Sequence, residues 1–310
     1  MAAVLSAPTL AVRRSLYLPL LIAATLLAFC VVGLGAYVRL SDAGLGCPDW
    51  PGCYGHLVGV PDSAAEHAAA ATAFPAKPVE AGKAWKEMIH RYAAGTLGLL
   101  ILGIALSAWR RAGNARPWLE TGLVGLVIFQ ALLGMWTVTL LLKPVIVTAH
   151  LIGGMATWAL LVLCLARDKL GAGRTAPQDT LVRAAGVLAL VAVVGQIALG
   201  GWTSSNYAAL ACPDFPTCRG AWLPIDGPTA IHMTHRLGAL LVFLAVGAYA
   251  VLLLKRRNPL GALLAALLIL QIGLGIANVL LSLPLPVAVA HNLGAALLLA
   301  ALVVTNFRRY

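Results

Sequence analysis

"GLGCPDWPGCYG", residues 44–55, returns as "ALACPDFPTCRG" at residues 209–220. A constant offset of 165 residues separates Cys47 from Cys212 and Cys53 from Cys218. Each copy follows a long apolar run, and the match extends into the runs themselves: "GLGAYVRL" (33–40) answers "ALGGWTSS" (198–205) at the same offset. A loop repeated in register with its flanking helices marks a duplicated chain, and the duplication sets the architecture.

Hydrophobic residues make up 61% of the 310 residues and charged ones 11%. A soluble domain of this length cannot hide so much apolar surface, so the bilayer serves as its solvent. A span needs about 20 apolar residues, and eight runs of that kind lie near 16–38, 88–109, 117–141, 146–166, 181–203, 230–254, 259–281 and 287–306. The first follows Arg13 and Arg14 but is too long for a signal peptide and shows no convincing cleavage site, so it reads as a retained helix. The fold expected is an all-α integral membrane protein of eight spans.

With eight spans both termini share a side. That side carries Arg13, Arg14, Arg110, Arg111, Arg116, Arg167, Lys169, Arg174, Arg183, Lys255, Arg256, Arg257, Arg308 and Arg309, while most of the acids fall on the other. The positive-inside rule makes the termini cytoplasmic. The net charge of +11 is then a topology signal. Its bases are dispersed over short loops, which argues against a nucleic-acid partner. Both Cys-x5-Cys loops fall on the non-cytoplasmic side, where disulfides persist, and the pairs expected are Cys47–Cys53 and Cys212–Cys218. A structural staple and a redox role both suit them, the latter more plausibly in the first loop. The spacing does not suit zinc. Cys30 and Cys164, inside spans, read as small core residues.

"EMIHRYAAG" (87–95) answers "HMTHRLGAL" (232–240), "FQALLGMWTV" (129–138) answers "LQIGLGIANV" (270–279), and "TAHLIGG" (148–154) answers "VAHNLGA" (289–295). The chain therefore reads as two parallel four-helix repeats, 1–167 and 181–310, joined by a polar linker at 168–180. Parallel repeats count against inverted-repeat transporter designs. His90, His150, His235 and His291 fall on the even-numbered spans at similar depth. Ionisable residues within a membrane mark functional sites, and two matched pairs are hard to explain as chance interhelical bonds. A haem between two imidazoles in an apolar bundle fits the pattern. Small residues beside each ligand admit a flat ring.

Arg91 and Arg236, each following a histidine, suit either propionate pairing or snorkelling to headgroups. Glu87 stands three residues before His90 and His232 three before His235, each pair on one helical face. A carboxylate beside only one site points to proton handling there, the alternative being a solvated side chain at the membrane edge. His232 reads as a polar neighbour or an alternative ligand. Gln130, Gln271, Asn278 and Asn292 read as interhelical glue. His56 and His67 belong to a long loop that could cover the first site.

These residues resemble the haem A synthase family over essentially the whole chain. The likeness rests on "GAYVRLSDAGLGCPDWPGCYG", on Glu87-x2-His90-Arg91, on His232-x2-His235-Arg236 and on the histidines of the fourth and eighth spans. The resemblance implies oxidation of a ring methyl of haem O to the formyl of haem A, by successive hydroxylations, for cytochrome oxidase biogenesis. It implies a resident haem B held by His235 and His291 in the C-terminal half. The substrate would be held by His90 and His150, with Glu87 as the catalytic acid. It also implies a bacterial plasma membrane location with the haem sites near the periplasmic face. Haem O synthase and oxidase assembly factors are expected partners, alongside membrane lipid and a homo-oligomeric assembly. The competing readings are a dihaem electron-transfer cytochrome that oxidises quinol and a haem carrier. An acid in only one half favours the enzyme.

Overall fold

The structure is a computed structural model, and it describes residues 16–111, 116–170, 179–222 and 226–307. Arg13, Arg14, Arg174, Arg308 and Arg309 lie outside the described residues, as does the middle of the expected linker. The helices are α1 (Tyr17–Leu40), α2 (Ala64–Ala73), α3 (Ala81–Arg111), α4 (Trp118–Thr139), α5 (Pro144–Leu170), α6 (Thr180–Ser205), α7 (Gly227–Lys255), α8 (Leu260–Leu280) and α9 (Leu285–Phe307). All but α2 are long and apolar enough to cross a membrane, which gives eight candidate spans. Among the described residues the only β-type pairing is two isolated bridges, Cys53 with His56 and Cys218 with Ala221.

Helix is the form these runs must take, because a backbone in lipid has to satisfy its own N–H and C=O groups. The spans begin and end where polar chemistry allows. Asp179 accepts from Leu181 N–H and Asp226 from Thr229 N–H, capping α6 and α7. α3 starts at Ala81, well before the apolar run at residue 88. Its added turns, "AGKAWKE", are tied by Lys83 to Glu80, just before the helix, at 3.1 Å, and Ala84 and the following Met88 pack beneath the first cysteine loop.

α1 packs on α3, α3 on α4, α4 on α5 and α5 back on α1; α6, α7, α8 and α9 close the same kind of ring. The rings meet through α1 against α9, α5 against α6 and α5 against α9. One apolar core runs through both rings, with Leu21, Ile101, Leu161, Val246, Leu264 and Leu302 almost wholly buried. Cys164 is buried in it, as expected, but Cys30 is exposed on α1. It turns away from the bundle together with Leu26. Such outward apolar side chains are the face that lipid covers.

Candidate functional site

The cysteine loops are built by their own motif. Cys47 bonds Cys53, and Cys212 bonds Cys218. In the first loop Asp49 accepts from the N–H groups of Tyr54 (2.6 Å) and Gly55 (2.8 Å). In the second, Asp214 accepts from Arg219 N–H (2.7 Å), Gly220 N–H (3.3 Å) and the Thr217 hydroxyl (3.0 Å). The closing glycines have φ of 82° and 78°, a conformation that favours glycine, so the C-x-G ending is a backbone requirement.

An arginine from the following helix plugs each loop. Arg91 Nη1 donates to the carbonyls of Asp49 (3.0 Å), Pro51 (3.2 Å) and Gly52. Arg236 Nη1 donates to those of Asp214 (2.8 Å), Pro216 (3.3 Å) and Thr217 (2.8 Å), and its Nη2 to Cys212 O at 2.9 Å. These guanidinium groups thus tie the loops to the turn that carries the adjacent histidine.

The halves diverge at the neighbouring position. Glu87 is buried; Oε1 pairs with Arg91 Nη2 at 2.5 Å and Oε2 accepts Cys47 N–H at 2.9 Å. Its counterpart His232 is also buried and makes a hydrogen bond with the Ala208 backbone. A carboxylate therefore links the first loop to the turn of His90, and an imidazole fills that place in the second half.

Each of the four histidines lies edge-on to a glycine of the preceding span. A Cβ at Gly35 would stand 3.1 Å from the His90 ring, at Gly134 3.5 Å from His150, at Gly200 3.2 Å from His235 and at Gly275 3.1 Å from His291. The ring centres of His235 and His291 are 6.5 Å apart. An iron bonded to both imidazoles at about 2 Å, the usual length for a first-row metal, separates ring centres by roughly 6 Å. The Nδ1 atoms of His90, His150 and His291 are buried with no hydrogen-bond partner among the described residues. Among those residues no group of three or more His, Cys, Asp or Glu side chains could hold a bare metal ion. Facing imidazoles with free nitrogens, cradled by glycine, fit a haem.

A 56–80 segment covers only the first loop. Ser63 and Glu66 form a capping box at the start of α2. Tyr54 donates to Pro78 O at 2.9 Å, and Gly59 N–H donates to the Tyr92 hydroxyl at 2.7 Å. His56 pairs through its backbone with Cys53, and His67 is exposed on α2, so neither joins the four histidines.

The sequence reading missed Gln196. Its amide nitrogen donates to His235 O at 2.8 Å and lies 3.1 Å from His235 Nδ1. Gln271 likewise donates to His291 O at 2.9 Å, and lies 3.4 Å from the other ring nitrogen, His291 Nε2. The signal was present: Gln130, Gln196 and Gln271 each stand four residues before the glycine that faces a histidine.

Residues 19–303 match the family model described as cytochrome oxidase assembly protein. The chain is 45% identical to a protein named "Heme A synthase" from Shewanella oneidensis, covering 89% of this chain and 92% of that protein. It is 30% identical to proteins of the same name from Halalkalibacterium halodurans (86% of this chain, 88% of the other) and Bacillus licheniformis (85% of each).

Proposed function

Because the chain belongs to the cytochrome oxidase assembly protein family, we propose that it is a haem A synthase, a membrane oxidoreductase that converts haem O to haem A. The reaction oxidises one ring methyl to a formyl group in successive hydroxylations. The observation that carries this reading is Glu87, a buried carboxylate one helical turn from His90 and replaced by His232 in the matching half. A symmetric pair of electron-transfer haems has no use for that difference.

In this reading residues 181–310 form the half with the resident haem B, held by His235 and His291, and residues 1–167 form the substrate half, where His90 and His150 hold haem O. Residues 168–180 join the halves on the cytoplasmic side, and the cysteine loops with both haem sites lie toward the periplasmic face. Bound haem supplies the iron-centred one-electron redox chemistry that methyl oxidation needs. The chain's own residues do the rest. The histidines orient the rings from opposing helices. Glu87 Oε2, which accepts Cys47 N–H at 2.9 Å, is the atom we assign to proton handling at the substrate. Arg91 holds the other oxygen and fixes that carboxylate under the loop. The 56–80 segment excludes water from the substrate half alone. Haem O synthase, which makes the substrate, and oxidase assembly factors, which take the product, are the partners this activity requires.

The test is haem extraction with mass analysis from cells that make haem O. The parent yields haem A. Glu87→Gln keeps the shape of the side chain but removes the titratable group, so it should keep its resident haem and accumulate haem O or a partly oxidised haem. Normal haem A yield from Glu87→Gln would overturn the role of Glu87. Full haem content in both His235→Ala and His291→Ala would overturn the ligand assignment.

A further inference from the structure

Three of the four histidine positions share a device that the fourth lacks. At three positions a glutamine on the preceding span stands four residues before the glycine that faces the ring: Gln130 before Gly134, Gln196 before Gly200, Gln271 before Gly275. Three residues after each of these histidines comes a second glycine, Gly153, Gly238 or Gly294, and the glutamine amide sits directly on it. A Cβ at any of these glycines would overlap the amide, so glutamine and glycine form one fitted unit. At His90 both members differ. Val31 stands four residues before Gly35, and Ala93 stands three residues after His90.

The device is also engaged to different degrees. Gln196 and Gln271 each donate to the carbonyl of their histidine and touch its ring. Gln130 packs on Gly153, but its Nε2 is buried without a hydrogen-bond partner among the described residues. The C-terminal half thus has two engaged amides, and the N-terminal half has one disengaged amide and one apolar substitute. Gln196 lies against Nδ1 of His235 and Gln271 against Nε2 of His291, so each amide fixes its ring's rotation and leaves the other nitrogen, Nε2 of His235 and Nδ1 of His291, for a metal. Such outer-shell contacts tune both retention and electronic character of the ligand.

Resting on the haem-ligand reading above, we propose that Gln196 and Gln271 are positioning residues that lock both imidazoles of the C-terminal site. By the same geometry, Val31 and Ala93 leave His90 as the one unlocked ligand, through whose release haem enters and leaves the N-terminal site. One fold then makes one permanent and one exchangeable haem site from the same four-helix plan. His150, whose Gln130 packs on Gly153 without a hydrogen bond from its Nε2 among the described residues, keeps half of the device and is the ligand that stays on the exchanging ring; His90, which has neither member, is the one that lets go.

The experiment uses the purified full-length protein with its resident haem. Apomyoglobin in excess serves as the haem acceptor, and low-temperature electron paramagnetic resonance reads the geometry of the ligand rings. Gln196→Val and Gln271→Val should each speed haem loss about tenfold, the lower end of what removing such a supporting contact costs. Each should also shift the g-values of the oxidised haem, which loosened helix packing alone would leave in place. Haem loss at the parent rate with unchanged g-values in both variants would overturn the proposal. The reverse change, Val31→Gln with Ala93→Gly, builds the device at His90. It should leave KM for haem O unchanged or lower, reduce kcat severalfold and raise the amount of haem A that stays on the purified protein. Unchanged kcat and unchanged haem A retention in that double variant would equally overturn it. His235→Ala and His291→Ala separate the two layers of argument. If they lose haem while the glutamine variants behave as the parent, only the locking role fails; if they keep it, the ligand assignment itself fails.

Discussion

Asp214 shows how a single side chain can fix a loop. It is half-buried, and the N–H groups of Arg219 and Gly220 and the Thr217 hydroxyl all point at its carboxylate. Led by the Arg219 hydrogen bond, they hold its pKa down, from 3.8 to about 2. A carboxyl whose folded pKa is depressed contributes stability above its unfolded value and loses it as pH falls through the folded one. Second-loop order should therefore be full above about pH 4 and lost toward about pH 2. Hydrogen exchange at Arg219 and Gly220, corrected for intrinsic rates, reads this directly. Asp214→Asn should lose protection at neutral pH and match the parent near pH 2; equal protection at both would remove the carboxylate from the account. The role of this aspartate was legible only in part. The repeated Cys-Pro-Asp motif announced a rigid loop, but its arginine plug was not visible. Arg91 and Arg236 read as partners for propionates or headgroups because spacing reveals neighbours on one helix, and the carbonyls they bind lie in a loop some 20 to 40 residues earlier.

At the scale of elements, the spans were readable because length and hydropathy decide them, and the structure keeps all eight. α2 lies in a stretch whose sequence reads as loop, although Ser63-x2-Glu66 spells a capping box. Ten residues of alanine-rich sequence are too few to hold a helix on propensity alone. α2 persists because Ala70, Phe74 and Val79 pack with Tyr54 and Met88 over the first loop, a tertiary contact no local pattern shows. Ser63→Ala removes the cap at a cost of about 1 kcal/mol to this helix. We expect faster proteolysis within residues 61–80, a raised KM for haem O and an unchanged resident haem spectrum. If proteolysis rises while KM stays at the parent value, the segment is not a cover for the substrate half. A change in the resident haem would show that the two sites are not separately enclosed.

For the molecule as a whole, the open question is what holds two similar rings together. Apolar packing between them has lipid as its alternative, so it supplies little preference by itself. The polar ties across the seam are few and specific. Trp158 Nε1 donates to Ala296 O at 3.0 Å, the Thr148 and Ser205 hydroxyls meet at 3.2 Å, and Arg39 donates to Ser204 O at 2.8 Å and the Tyr207 hydroxyl at 3.1 Å. The Arg39 guanidinium also lies 4.3 Å above the Tyr207 ring. Positions 39 and 204 correspond at the repeat offset of 165, and here they face each other. Two arginines would repel at this junction, whereas the small Ser204 adds no charge and leaves its backbone carbonyl open to Arg39. The sequence shows matching loops and histidines, and the difference at positions 39 and 204 reads there only as an imperfect match between "GLGAYVRL" and "ALGGWTSS". Arg39→Ala removes two charge-assisted hydrogen bonds and the ring contact, and should lower the unfolding free energy in detergent by about 2 kcal/mol. Arg39→Lys, which cannot reach both oxygens with a planar fork, should recover only part of that. Chemical unfolding followed by tryptophan fluorescence gives the comparison. Arg39→Ala at parent stability would mean that the rings are held by the fit of α1, α5, α6 and α9 alone.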